Sequence, residues 1–220
     1  RDNRYNDYFK GVDFEDIRVS NLQATIDDIR FEADTVYGNV QNITFTEKSG
    51  FRLEYLETTA RFTPESMDFE NLLLKTPYTQ LQGWVTFRFE NFGDFDEFIE
   101  KVKLNSEFEE STLSSKDLVF FATELEGLDK EIAFSGKIKG TINQLRGRNL
   151  EIAFGKHSSF SGDISITGLP DFEESFFDLV VNELITDKSE IEDIPEYPFN
   201  RNVMMDLPDN LSTLGRRHAR

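Results

Sequence analysis

Two histidines, forty-two carboxylates and no cysteine are what this 220-residue chain offers to chemistry. Catalysis needs a positioned base, nucleophile or metal. His157 lies in Gly155-Lys156-His157-Ser158-Ser159, a polar turn in which a solvated imidazole is expected, and His218 lies in the tail. No HExxH, GxSxG, P-loop or GxGxxG pattern occurs. A carboxylate pair suited to glycoside hydrolysis can be chosen in many ways from so many acids, so no single pair carries weight. Asp94 and Asp96 raise calcium, but their loop lacks the remaining oxygen ligands and the glycine of an EF-hand, and a charged helix start is the reading adopted. Asn42-Ile43-Thr44 and Asn210-Leu211-Ser212 fit the N-glycosylation pattern, which triplets match readily by chance. Without cysteine there is neither a disulfide frame nor a thiolate metal site. These residues predict a protein with no enzymatic activity, no cofactor and no metal.

The charge balance narrows the partners. A formal net charge of −18 argues against nucleic acid, whose phosphates need a basic footprint, and against flat docking on an anionic membrane. The acids are spread along the chain, as on one solvated face of many strands. The basic cluster Arg216, Arg217, His218 and Arg220 reads as the start of a next element. No run of about 18 apolar residues occurs, and Arg1 does not begin a signal peptide. The chain reads as a piece whose targeting and anchoring segments lie outside it.

The elements that position these groups are mostly strands. Phenylalanine dominates the aromatic residues, 22 against 6 Tyr and 1 Trp. Val85, Phe87 and Phe89 alternate with Trp84, Thr86, Arg88 and Glu90, a period of two. Ile132, Phe134, Ile138 and Ile142 alternate with polar residues, with Gly136 and Gly140 on the apolar side. Leu150, Ile152 and Phe154 form a further strand, and Phe160, Ile164 and Ile166 another, with Gly162 and Gly168 in register. Glycine on a packed face marks a bend, a bulge or a close approach. Phe95, Phe98, Ile99 and Val102 fall at helical spacing, as do Leu118, Phe121, Ala122 and Leu125, the second run capped by Ser114 with Asp117. Helices are therefore expected mainly within 93–125. Segment 170–185 reads as strand, although Pro170–Ser175 could open a helix, and residues 196–220 read as a linker or the start of a next element.

Two internal repeats appear. Asp16-Ile17-Arg18-Val19 recurs as Asp28-Ile29-Arg30-Phe31. Asn71-Leu72 through Leu81, Gly83, Val85 and Phe87 recurs as Asn149-Leu150 through Phe160, Gly162, Ile164 and Ile166. A recurring strand-turn-strand unit predicts an elongated, stacked β architecture. One apolar face must be covered or curled upon itself. It can close as a β-sandwich core, or bend into an open trough in which a charge placed at Phe134 or Ile164 reaches water across the mouth.

From about Val36 to Pro195 the chain resembles the TamB branch of the AsmA-like family, in its long Bacteroidota form. The residues that carry this are Asn71-Leu72-Leu73-Leu74-Lys75-Thr76-Pro77-Tyr78 with Leu81 and Gly83, and Ser115-Lys116-Asp117-Leu118 with Phe121. They continue in Gly136-Lys137-Ile138-Lys139-Gly140-Thr141, Phe154-Gly155, Phe160-Ser161-Gly162-Asp163-Ile164-Ser165-Ile166 and Thr167-Gly168-Leu169-Pro170-Asp171. The resemblance implies a periplasmic protein anchored in the inner membrane by a segment outside this chain, with a β-taco groove carrying phospholipid between the two membranes. It also implies a link to outer-membrane barrel assembly through an Omp85-type partner.

The expectation is thus a mainly β, curled antiparallel sheet over 1–195 whose groove solvates phospholipid acyl chains. Its lining is expected from Val85, Phe87, Phe89, Ile132, Phe134, Ile138, Ile152, Phe154, Ile164 and Ile166. The rival readings are a β-sandwich or solenoid adhesion module binding protein or glycan, and a β-helix polysaccharide hydrolase.

Overall fold

A computed structural model describes residues 11–13, 16–171, 174–197, 199, 203–206 and 217–219, the last three by backbone alone. Twelve strands form one antiparallel sheet: β1 (Val19–Glu32), β2 (Thr35–Glu47), β3 (Arg52–Leu53), β4 (Tyr55–Phe62), β5 (Ser66–Lys75), β6 (Gln80–Arg88), β7 (Lys103–Ser114), β8 (Glu131–Thr141), β9 (Gln144–Phe154), β10 (Ser158–Thr167), β11 (Phe176–Thr186) and β12 (Arg217–Ala219). Spatial order follows chain order, with the two-residue β3 set beside β2, and the sheet does not close. Each strand packs on its chain neighbours, and among the described residues no second layer lies over the apolar face. The β-sandwich alternative is therefore not what this sequence forms.

A one-layer sheet leaves its inner residues wet unless it bends, and the register shows where it does. Each of β5, β7, β9 and β11 holds extra residues at mid-length: between Phe69 and Leu72, between Phe108 and Ser111, between Gly147 and Leu150, and at Asn182. The intervening strands place glycine beside these bulges: Gly83 opposite Leu72, Gly136 opposite Phe108, and Gly162 opposite Leu150. Asn71 and Asn149 take the left-handed conformation, φ 52° and 50°, which asparagine tolerates better than most residues. A bulge bends its strand and increases the local twist. Bulges aligned across seven neighbouring strands make one crease running across the sheet.

The burial pattern follows that crease. Leu72, Val85, Phe108, Phe134, Leu150 and Phe160 flank it on the inner face and are each no more than 9% exposed. With no second layer above them, that burial comes from the two arms of the sheet inclining towards each other. The Asn71–Phe87 and Asn149–Ile166 repeat is thus a bulge facing a glycine. The β7–β8 pair adds a third copy of it, with Glu109 and Glu110 in the bulge. The shorter repeat is not structural in the same way, since Asp16 precedes β1 while Asp28–Phe31 lies within it.

The helical segments are shorter than the spacing predicted. Phe92–Glu97 is a 3-10 turn and α1 (Phe98–Lys101) a single α-turn; α2 (Ser115–Leu118) is another, followed by a 3-10 turn at Thr123–Leu125. Between them runs β7, a twelve-residue strand inside the region read as helical. Ser114 caps α2 as expected, accepting from Lys116 N, but Asp117 reaches across to the β5–β6 turn, where Thr76 Oγ1 donates to it at 2.6 Å. Asp94 sits in the 3-10 turn and accepts from Glu90 N at 2.7 Å. Ile142 lies in the β8–β9 turn rather than in the strand. Segment 176–186 is strand, as read. The tail is more than a linker: α3 (Lys188–Glu192) follows β11, Pro195 bridges Met204, and β12 pairs with Leu184–Thr186. Asn210–Ser212 lies outside the described residues.

Glu47 ties the first turn together. Its carboxylate accepts from Ser49 N at 2.7 Å and Arg18 N at 3.2 Å while the residue is almost wholly buried. The Ser49 hydroxyl and backbone N–H hold its pKa down to about 2, from an ordinary 4.5. Because the folded value lies below the unfolded one, the ionised carboxylate stabilises the native state. That contribution is full above about pH 4.5 and is lost as pH falls towards 2. Urea unfolding of Glu47→Gln across this range is expected to lie below the parent at neutral pH and to converge with it in acid. A constant gap would contradict the role.

Candidate functional site

Directly opposed residues on antiparallel strands share a face, so the register assigns sides. Val85 pairs Phe69, Phe87 pairs Leu104, Phe134 pairs Ile152, Ile132 pairs Phe154, and Ile164 pairs Gly147. The register thus places nine of the ten predicted lining residues on the inner face; Phe89 follows β6 and has no strand partner among the described residues. They do not all do the same thing there.

Six of them, Ile132, Phe134, Ile138, Ile152, Ile164 and Ile166, line one hollow of about 180 Å³ together with Leu113, Leu145, Gly147 and Leu150. Five of the lining residues lie on one side of the crease (Leu113, Ile132, Phe134, Leu150 and Ile152). The other five lie on the opposite arm (Ile138, Leu145, Gly147, Ile164 and Ile166). The hollow is a V cut across β7–β10, and every side chain in it is aliphatic or aromatic. An alkyl chain asks for no hydrogen bond, so a hollow lined in this way suits it.

Val85 and Phe87 continue the same floor towards β4, packed with Leu72 and Phe108 in the core cluster. Phe134 meets Phe108 edge-on, ring centroids 5.4 Å apart. Phe154 is half-buried at the end of β9, on the same face but outside the hollow. Phe89 is a correction: it lies under the 3-10 turn, 5.2 Å from the Phe92 ring and 5.0 Å from Phe95, and lines no groove. Phe98 of α1 meets Phe87 in a tilted contact, ring centroids 6.0 Å apart. At the opposite strand ends, Phe120 and Phe121 meet Phe51, which in turn meets Phe45 on β2. Neither of these two aromatic segments is among the residues that line the V.

Sequence reasoning missed the contribution of β7. Ser106 and Ser111 take inward positions there, fully buried, with Ser106 Oγ donating to Ile138 O at 3.2 Å and Ser111 Oγ accepting from Gln82 N at 3.0 Å. Serine at inward positions and a bulge that shifts the parity hid the alternation of Leu104, Phe108 and Leu113.

The outer face holds a second hollow, of about 730 Å³, along the back of the crease, lined by Trp84, Gln82, Asn71, Glu57, Glu70 and Glu109 among others. Its carboxylates are engaged singly: Tyr55 donates to Glu57 at 2.5 Å and Gln82 to Glu109 at 3.2 Å. His157 is exposed in its turn, where its backbone N–H and that of Lys156 donate to Glu190. With the Ser158 hydroxyl as the main cause, these donors hold the Glu190 carboxyl below its ordinary range. Among the described residues, no three His, Cys, Asp or Glu side chains converge as metal ligands, and no helix is long and apolar enough to cross a membrane.

Compared with known proteins, the chain matches no family model, no curated protein and no solved structure.

Proposed function

We propose that the creased sheet is a segment of a passive lipid conduit, in which the V across β7–β10 solvates the acyl chains of phospholipid while headgroups stay in water at the mouth. The observation that carries this reading is the hollow itself, lined from both arms by apolar side chains and, among the described residues, covered by no second layer. Water pays heavily for such a face, roughly 25 cal/mol per Å² left wet, and an alkyl chain removes that cost without asking for any hydrogen bond. Every residue of β1 is exposed, and β11 exposes Phe176, Phe177, Leu179 and Val180. The likeness to TamB-type proteins adds the setting: the periplasm, an inner-membrane anchor outside this chain, and an Omp85-type barrel as partner.

Organic extraction of the purified chain, followed by mass spectrometry, is expected to recover phospholipid in near-stoichiometric amount. A protein that carries no lipid and takes none up from micelles or vesicles would reject the conduit.

A further inference from the structure

The outer face carries a charge pattern that the trough does not use. Arg88, Lys103, Lys137, Lys139, Arg146 and Arg148 are all exposed there, on one side of the crease across β6–β9. The register sets them in opposition: Arg88 faces Lys103, Lys137 faces Arg148, and Lys139 faces Arg146. Directly opposed residues on antiparallel strands have Cβ atoms about 5 Å apart, and like charges so placed destabilise a sheet. Lys137 and Arg148 are relieved by Glu107 at 3.7 Å and Asp163 at 2.6 Å. Among the described residues, Arg88, Lys103, Lys139 and Arg146 form no ion pair. On the other side of the crease the same strands turn Glu109, Glu131 and Glu151 outward. A chain of net charge −18 thus concentrates unpaired cations in one patch and sets them against each other.

We propose that this half of the outer face docks on the phosphate headgroups of an anionic lipid bilayer, the Arg88–Lys103 and Lys139–Arg146 pairs each holding a phosphate from two sides. The unfavourable pairing becomes favourable once an anion sits between its members. Neither hollow described above includes these residues. The patch spans four strands, roughly 15 Å at the usual spacing, which suits an array of surface anions better than one small ion. Arg88 and Lys103 also flank the 92–101 segment, whose Phe92 and Ile99 are 58% and 40% exposed. Ile99 O accepts from Asn143 N at 3.1 Å, which holds that apolar tip against the β8–β9 turn. That segment packs on the inner side, with Phe98 against Phe87 and Phe95 against Phe89, and it also carries Asp94, Asp96, Glu97 and Glu100, so the contact is made by the cations of the strand face. At physiological salt, charges beyond roughly 8 Å are screened, so the patch acts locally despite the acidic whole. The docking does not depend on the trough holding lipid.

The test is co-flotation of the 220-residue chain with phosphatidylglycerol-containing vesicles and with vesicles of phosphatidylcholine alone, over a salt series. Binding is expected only with phosphatidylglycerol and is expected to fade with salt. Arg146→Glu turns the Lys139 pair from repulsion to attraction. It should therefore leave Tm equal to or above the parent value while binding falls by on the order of tenfold. Lys116→Glu, a reversal at the opposite strand ends, should leave binding unchanged. Absence of phosphatidylglycerol-dependent binding, or binding that Arg146→Glu leaves intact, overturns the proposal. So does full competition by inorganic phosphate at matched ionic strength, which would make this a small-ion site. Lipid content of the purified protein reports on the trough separately, and Arg146→Glu should not change it.

Discussion

Phe134→Glu is expected to unfold this chain, whereas Ile164→Arg, thirty residues on and lining the same hollow, is expected to leave it folded and empty of lipid. Sequence alone gives the two positions one role, a charge at either reaching water across the mouth. The structure separates them. Phe134 is 8% exposed, lies against the crease and packs edge-on against Phe108 in the centre of the core cluster. A carboxylate there is held beneath both arms and away from water, at a cost of several kcal/mol against a total stability of about 5–15 kcal/mol. Ile164 is half-buried on the wall formed by β10. An arginine there can lay its stem along Ile138 and Ile166 and carry its head to the mouth. The measurements are thermal unfolding and bound lipid for both variants, beside the outward control Lys137→Glu. Folded Ile164→Arg with lipid at the parental level would show that acyl chains do not use the V. Cooperative unfolding of Phe134→Glu at the parental temperature would show that the floor is wetter than the packing describes.

What could be read in the residues, and what could not, follows from the same crease. Strands β6, β8, β9 and β10 were legible because the one-residue spacing of Val85 and Phe87, or of Ile164 and Ile166, survives on each side of a bulge. Of the four glycines read as bend signals, Gly136 and Gly162 fall where a bulge meets its neighbour, while Gly140 and Gly168 lie at strand ends. β7 was not legible. Its inward serines look like a polar loop, and Glu109-Glu110 breaks the period at the point where a reader would test it. The run Phe95, Phe98, Ile99, Val102 has the spacing of a helix because a 3-10 turn followed by a single α-turn also returns side chains to one side. Phe89 was grouped with Phe87 by parity, which says nothing of the connection that folds back over it. The cationic patch was invisible for another reason. Charge counted along the chain averages over both faces and both arms, while the register brings together residues as far apart as Arg88 and Arg146 only after the strands have paired. The contact between Asp117 and Thr76, forty-one positions apart, was beyond sequence in the same way.

The crease itself can be tested at one atom. Gly83 has φ 142°, a region closed to residues with a Cβ, and a Cβ built there would lie 2.1 Å from Glu107 O and 3.0 Å from Phe108 Cα. Both neighbours are backbone, so relief requires β7 to move away from β6 at the bulge, where Phe108 forms the floor. Gly83→Ala is expected to combine conformational strain of about 1–3 kcal/mol with the penalty of separating two strands. The total should be on the order of 3 kcal/mol or more, a large fraction of what such a domain has. Gly50→Ala provides the comparison. Gly50 also has positive φ, 99°, but its nearest new neighbour would be Phe120 Cε1 at an ordinary 3.7 Å. That variant carries strain without overlap and should cost about 1 kcal/mol. Chemical denaturation of the three proteins, read by both far-ultraviolet circular dichroism and Trp84 fluorescence, decides the matter. Trp84 stands next to Gly83 on the outer side of the crease, so its emission should change in Gly83→Ala even in the folded baseline. Equal costs for the two substitutions would mean that β6 and β7 do not approach closely here. The bend at mid-strand, and the V that depends on it, would then need another cause.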